Sequence, residues 1–198
     1  WLSPVDTRSL PGMVPALCGV FTPRGDRFYA RTDAGTVTAW TYNAVTGQLG
    51  AAPLYSIAVD SADPYAGVDQ LDISSDGAKL YVTENTVLNV YDAATGRLLK
   101  SLADAAHDYV GVDLAVVQPD AVASSVRAAY IDDNTSTLHV IDTATDALLG
   151  TVVLPAGASN GTWDVAVTPD QTLTFVSEYQ AQKVWVVDLN TLSLAGSI

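Results

Sequence analysis

From Phe21 onward the chain alternates short apolar runs with polar gaps and turn formers. L-Y-V at 80–82, A-Y-I at 129–131 and F-V-S at 175–177 are β-prone. V-L-N-V-Y at 87–91, L-H-V-I at 138–141 and V-W-V-V at 184–187 are rich in β-branched and aromatic residues. Helix signals are nearly absent. Between the runs lie Thr46-Gly47, Asp76-Gly77, Thr95-Gly96, Pro119-Asp120 and Pro169-Asp170, residues that supply positive φ or preset φ and so reverse the chain. The runs are apolar at consecutive positions rather than strictly alternating, which fits strands covered on both faces.

The same order of features recurs four times. A turn rich in Pro, Asp or Gly leads into a strand ending near an aromatic, then a polar gap, a second strand and D-x-x-T or a relic of it. The copies begin at Phe21, Ile73, Val117 and Val167, and their tails anchor at Asn43, Asp92, Asp142 and Asp188, spaced 49, 50 and 46 residues apart. Adding a strand before each Pro/Asp turn and one after each D-x-x-T turn gives four antiparallel strands per unit, which is a propeller blade. The expected fold is an all-β propeller of about four blades and a fragment. Residues 1–20 read as the end of a preceding blade and the first inner strand, 21–66 as blade 1, 67–110 as blade 2, 111–160 as blade 3 and 161–198 as blade 4.

Within blade 2, Lys79-Leu80-Tyr81-Val82-Thr83-Glu84-Asn85 resembles a Y-V-T-N signature with one inserted residue, and S-S-D-G-A-K with N-V-Y-D-A-A-T-G-R looks like the rest of that repeat. On these residues the chain resembles the YVTN-type β-propeller repeat family over about residues 15 to 198. The other units depart from the signature, with YARTD, YIDDN and FVSEY in its place. The resemblance implies surface-layer or secreted binding proteins, with lactonases and quinoprotein or cytochrome-associated subunits as related propellers. Such rings commonly have seven blades, so the expectation is part of a larger ring. The single methionine, Met13, leaves Trp1 as no translational start, which likewise reads as a processed chain or a piece of something longer.

Charge narrows the partners. With 9 basic and 22 acidic residues the formal charge is -13, which repels phosphate backbones and anionic membrane surfaces, so nucleic acid is not expected. No run approaches the roughly 18 apolar residues of a membrane helix. One cysteine, Cys18, allows no internal disulfide and reads as a small apolar core residue. The acidity, with little Lys, suits a secreted or cell-surface protein.

Three groups carry candidate chemistry. Aligned on the aromatic of each unit, Thr32, Glu84, Asp133 and Glu178 share one position, with Asp33, Asn85, Asn134 and Tyr179 next along. Glu84, Asp133, Glu178 and Asp33 would then form an acidic arc on one rim, an oxygen-rich site for a hard cation such as Ca²⁺, or simply a set of solvated turns. Ahead of the inner strands, Gly67-Val68-Asp69, Gly111-Val112-Asp113 and Gly161-Thr162-Trp163-Asp164 correspond. Asp69, Asp113 and Asp164, with Trp163 as a wall, would face a ligand at the channel mouth, or the acids would cap tight links. His107, between Asp104 and Asp108, reads as a ligand-facing residue, a metal ligand or a general acid/base, or as a solvated loop residue. His139 aligns with Trp40, Asn89 and Trp185 and reads as packing between blades. No GxSxG, HExxH, P-loop, GxGxxG or C-x-x-C-H motif is present. The sequence therefore favours a non-catalytic propeller that binds protein or glycan, or self-associates, through an acidic rim. The alternative is a lactonase-like hydrolase or a quinoprotein dehydrogenase propeller with its site at the channel mouth.

Overall fold

A computed structural model describes residues 16–32, 35–59, 70–84, 87–103, 111–116, 127–132, 135–155, 162–178 and 182–198. Among them all regular structure is β. The first sheet holds β1 (Ala16–Phe21), β2 (Arg27–Thr32) and β3 (Thr36–Asn43), with β4 (Gln48–Leu49) and β5 (Tyr55–Ala58) both paired to β3. The second runs β6 (Leu71–Ile73), β7 (Lys79–Glu84), β8 (Val87–Asp92) and β9 (Leu98–Ala103). The third runs β10 (Gly111–Val116), β11 (Arg127–Asp132), β12 (Thr137–Asp142) and β13 (Ala147–Val153). The fourth runs β14 (Thr162–Val167), β15 (Leu173–Glu178), β16 (Lys183–Asp188) and β17 (Ser193–Ser197). All pairings are antiparallel between neighbours in sequence, apart from the skip from β3 to β5. The first strands lie side by side, β1 against β6, β6 against β10 and β10 against β14. Four sheets fanned about their first strands are the blades of a propeller.

Short polar side chains shape the turns, as the turn formers predict. The turn from the first to the second strand is tied by a hydroxyl in three blades. Thr22 Oγ1 accepts from the backbone N–H of Arg27 (3.1 Å) and donates to Asp26 (2.6 Å). Ser74 Oγ accepts from Lys79 N–H (2.9 Å) and donates to Asp76 (2.6 Å), while Thr168 Oγ1 accepts from Leu173 N–H (3.1 Å) and donates to Asp170 (2.6 Å). These hydroxyls are the main reason the Asp26, Asp76 and Asp170 carboxyls sit below the ordinary carboxylate range. The D-x-x-T turn is an Asx turn: Asp92 Oδ1 accepts from the N–H of Ala94 and Thr95 at 3.0 and 2.9 Å, and Asn43, Asp142 and Asp188 repeat it. The bonded side chain closes the reversal without a neighbouring strand.

The two faces of each blade are set by pairing. On the second strand, the first, third and fifth residues point to the next blade, because Tyr29 reaches blade 2 and Tyr81 reaches blade 3. The residues between them point back. In the two inner blades both faces are closed: Leu80, Tyr81 and Val82 are buried, as are Leu138, His139 and Val140. The core is correspondingly divided among the seams, with the largest apolar groups between blades 1 and 2 and between blades 3 and 4.

Candidate functional site

Polar chemistry concentrates first in the seams between blades. Blade 1 ends its second-strand start with Arg27-Phe28-Tyr29, and blade 2 with Lys79-Leu80-Tyr81. In the first seam the Ala93 carbonyl, inside the blade 2 Asx turn, accepts from Tyr29 Oη (2.6 Å), Tyr55 Oη (2.7 Å) and Arg27 (3.1 Å). In the second, Lys79 Nζ donates to the Thr143 carbonyl and to Asp146 Oδ2, both at 2.7 Å, and Tyr81 Oη donates to Asp146 Oδ1 at 2.8 Å. Lys100 donates to the Asp146 carbonyl from the outer strand. Burial pushes the Tyr55 and Tyr81 hydroxyls well above the ordinary phenol value, and the Asp146 carboxylate adds to the rise at Tyr81.

The acids expected along a rim are placed differently. Glu84 ends β7 on the face toward blade 1, buried, and its Oε1 accepts from Asn89 Nδ2 (2.8 Å) and Tyr91 Oη (2.7 Å). Desolvation and the Glu84 charge raise the Tyr91 hydroxyl, and the positive charge of Arg31 partly offsets them. Arg31 is itself buried and donates to the Thr83 carbonyl across the seam (2.6 Å). Glu178 is buried on the face toward blade 3 and accepts from Trp185 Nε1 at 2.7 Å. These two acids therefore stand inside different seams rather than along an open edge, because each is the last inward-facing residue of its strand. Asp33 and Asp133 lie outside the described residues. Strand register also moves the blade 3 position: Asp132 pairs with Thr137 as Glu84 pairs with Val87 and Glu178 with Lys183. The aromatic of that unit, Tyr130, sits one place later than Tyr81 does, so alignment on aromatics shifts the acid by one. Among the described residues no three His, Cys, Asp or Glu side chains gather closely enough to hold a metal ion.

The channel-mouth group falls on irregular backbone. The inner strand opens with a register shift between Gly111 and Leu114 and between Thr162 and Asp164. Two residues there oppose one on the second strand, the arrangement of a β-bulge, which re-aims side chains. Asp113 and Asp164 share a level, Asp164 is exposed, and Trp163 is the extra residue of its bulge. β1 has the same shift between Ala16 and Cys18. In blade 2 the residue at this level is Gln70, whose N–H donates to Thr83 Oγ1 at 2.8 Å. Asp69 and His107 lie outside the described residues. His139 is fully buried and shares its register with Asn89 and Trp185, while the blade 1 counterpart is Thr38, two residues before Trp40.

One cleft opens at the opposite end of the first seam, lined by Thr22, Arg24, Asp26, Arg27, Asp76 and Ala94 among others. It lies between the hydroxyl-tied turns of blades 1 and 2. Sequence reasoning did not single it out, since its residues belong to turns rather than to a motif.

No family model matches the chain, and no curated protein matches it in sequence. Solved structures do match. Hydrazine synthase of Kuenenia stuttgartiensis superposes with a TM-score of 0.70 at 16% identity, over 96% of this chain and 52% of that one. U3-55K gives 0.67 at 15%, over 96% and 55%, and the dihydro-heme d1 dehydrogenase NirN in complex with DHE gives 0.63 at 16%, over 89% and 35%. Identity this low shows the fold alone, and that fold is the β-propeller. The chain spans about half the length, or less, of these structures.

Proposed function

We propose that this chain is a non-catalytic binding propeller of the YVTN type, secreted or at a cell surface, which takes a protein or glycan at the channel mouth. The observation that carries the reading is the bulged opening of the inner strands, which sets Asp113 and Asp164 at one level on neighbouring blades. Acids deeper in the blades, Glu84 and Glu178, are engaged by Asn89, Tyr91 and Trp185, which leaves the mouth as the surface for recognition. Ca²⁺ enters as a bridging ion for such a pair, since hard cations gather carboxylate oxygens.

A second reading is an enzyme or redox subunit, favoured by the likeness to hydrazine synthase and to NirN. A glycan array probed with the purified chain, with and without Ca²⁺, separates the two. Binding to an array glycan that is lost in Asp113→Asn and in Asp164→Asn, with unchanged melting, supports the binding propeller. Hydrolysis of lactone substrates by the wild-type chain, lost in the same variants, replaces it with the enzyme.

A further inference from the structure

The cleft between the first-to-second-strand turns of blades 1 and 2 has a volume of about 180 Å³, and four charged residues line it, Arg24, Asp26, Arg27 and Asp76. Three of the four are held by bonds that leave part of their capacity unused. Asp26 and Asp76 each accept through Oδ1 from a turn hydroxyl, Thr22 at one and Ser74 at the other, both at 2.6 Å, and Asp76 Oδ1 also takes the Ala78 N–H at 2.9 Å. The other oxygen, Oδ2, has no partner in either among the described residues. Arg27 is anchored through Nη1 on the Ala93 carbonyl at 3.1 Å, and a guanidinium keeps further N–H donors beyond that one. Arg24 is exposed and makes no hydrogen bond or ion pair among the described residues. Donors and acceptors are thus largely set before any ligand arrives, which lowers the ordering cost of binding.

The charges select the ligand. The Thr22 and Ser74 hydroxyls chiefly hold both carboxyls below the ordinary carboxylate range, so both are ionised at neutral pH, and the two carboxylates face two guanidinium groups across the cleft lining. A lone anion meets the carboxylates and the field of a chain with formal charge -13. A lone cation meets the guanidinium groups. A neutral molecule bearing both charges escapes both repulsions, with its carboxylate on the guanidinium donors and its ammonium on the unused Oδ2 atoms. No aromatic side chain lines the cleft, so it lacks the apolar wall on which a ring-shaped ligand would pack. Its volume is also below the roughly 300–1,000 Å³ of pockets for larger ligands.

We propose that this cleft binds a small zwitterion, an amino acid with free ammonium and carboxylate groups. The site stands at the other end of the seam from the channel mouth, and the proposal holds whatever binds there. Titrating the isotope-labelled chain with glycine, β-alanine and γ-aminobutyrate, which set the two charges progressively further apart, should move the Gly25 and Gly77 amide signals. For at least one of them the shift should saturate with a Kd of about 1 mM or below. Acetate and methylammonium, each carrying one charge of the pair, should bind about ten-fold more weakly or worse. Arg24→Gln, at an exposed side chain, should lower affinity about ten-fold with unchanged melting, and Asp76→Asn, which keeps an acceptor for Ser74, should lower it by about as much. Asp170→Asn removes the same charge from the matching turn of blade 4 and should leave the titration unchanged. The proposal is overturned by the absence of a saturable shift with all three amino acids, or by acetate or methylammonium binding as tightly as the best of them. Affinity indifferent to both Arg24→Gln and Asp76→Asn, or an equal loss in Asp170→Asn, overturns it as well.

Discussion

The seam between blades 1 and 2 and the seam between blades 3 and 4 join the same repeat by different chemistry. In the first, Arg27, Tyr29 and Tyr55 converge on one carbonyl. In the last, the third residue of the second strand is Ala129 rather than Tyr, and the turn residue it faces is Leu189, buried with Val165, Trp185 and Val187. The middle seam is clasped like the first, but through a lysine and a carboxylate. A blade interface can therefore be closed by directional bonds or by apolar area, and the choice is made at two strand positions. Directional bonds fix register, while apolar burial supplies more stabilisation per residue.

The widest difference between the seams should appear on truncation. Trp185→Ala removes the largest side chain of the apolar seam and one donor to the buried Glu178, so denaturant unfolding should show a loss of about 3–5 kcal/mol. A loss under 1 kcal/mol would mean that this seam is not held by packing. Lys79→Met leaves the Asp146 carboxylate with the Tyr81 hydroxyl and takes away its bonded ammonium; because Lys79 keeps 22% and Asp146 10% of side-chain exposure, the expected loss is about 2 kcal/mol, below that of a fully buried pair. Tyr29→Phe should lose about 1 kcal/mol or less, since Tyr55 and Arg27 still donate to Ala93. Equal losses in Lys79→Met and Tyr29→Phe would erase the distinction between the two clasped seams.

The pH dependence is gentler and has two limbs. Tyr55, Tyr81 and Tyr91 carry raised hydroxyl pKa values in the fold. Their contribution is complete below the unfolded value near 10 and falls away as pH rises above it. Tyr81→Phe should flatten the decline of the denaturation midpoint above about pH 10. Asp26, Asp76, Asp92 and Asp170 are lowered in the fold, so their contribution is present above about pH 4 and is lost as pH falls through their folded values. These turns are exposed, so this limb should be the smallest effect, visible as a shallow acid slope that Asp92→Asn reduces.

How far the sequence could be read depended on what each signal measures. Turn residues and strand runs report local geometry, and they were sufficient for the blades, because Asp92, Asp142 and Asp188 do build the same Asx turn. The aromatic used to align units reports packing, which drifts: Tyr130 stands one place later than Tyr81, and β3 is longer than β8, so Trp40 is two residues from the true counterpart of Asn89. Only pairing register fixes such positions. The burial of Glu84 had a readable signal, since Asn89 and Tyr91 alternate on the facing strand and put donors on the acid's side. The clasps had one too, in Arg27-Phe28-Tyr29 and Lys79-Leu80-Tyr81, where a base and a tyrosine share one face. What they grasp was only partly legible, because a main-chain carbonyl accepts in each, at Ala93 and at Thr143, while the Asp146 carboxylate joins it in the second.

That acceptor has a consequence for how such a chain can change over generations. A carbonyl is identical in every residue, so that part of the receiving side records nothing in the sequence and tolerates Ala93 in one blade and Thr143 in the next, whereas the Asp146 carboxylate is written into the sequence of blade 3. A duplicated blade would arrive with its socket already made. The donor strand can then be edited to fit a new neighbour, while an apolar contact asks more of the partner, since Leu189 stands in the blade 4 turn that packs with Ala129 of blade 3.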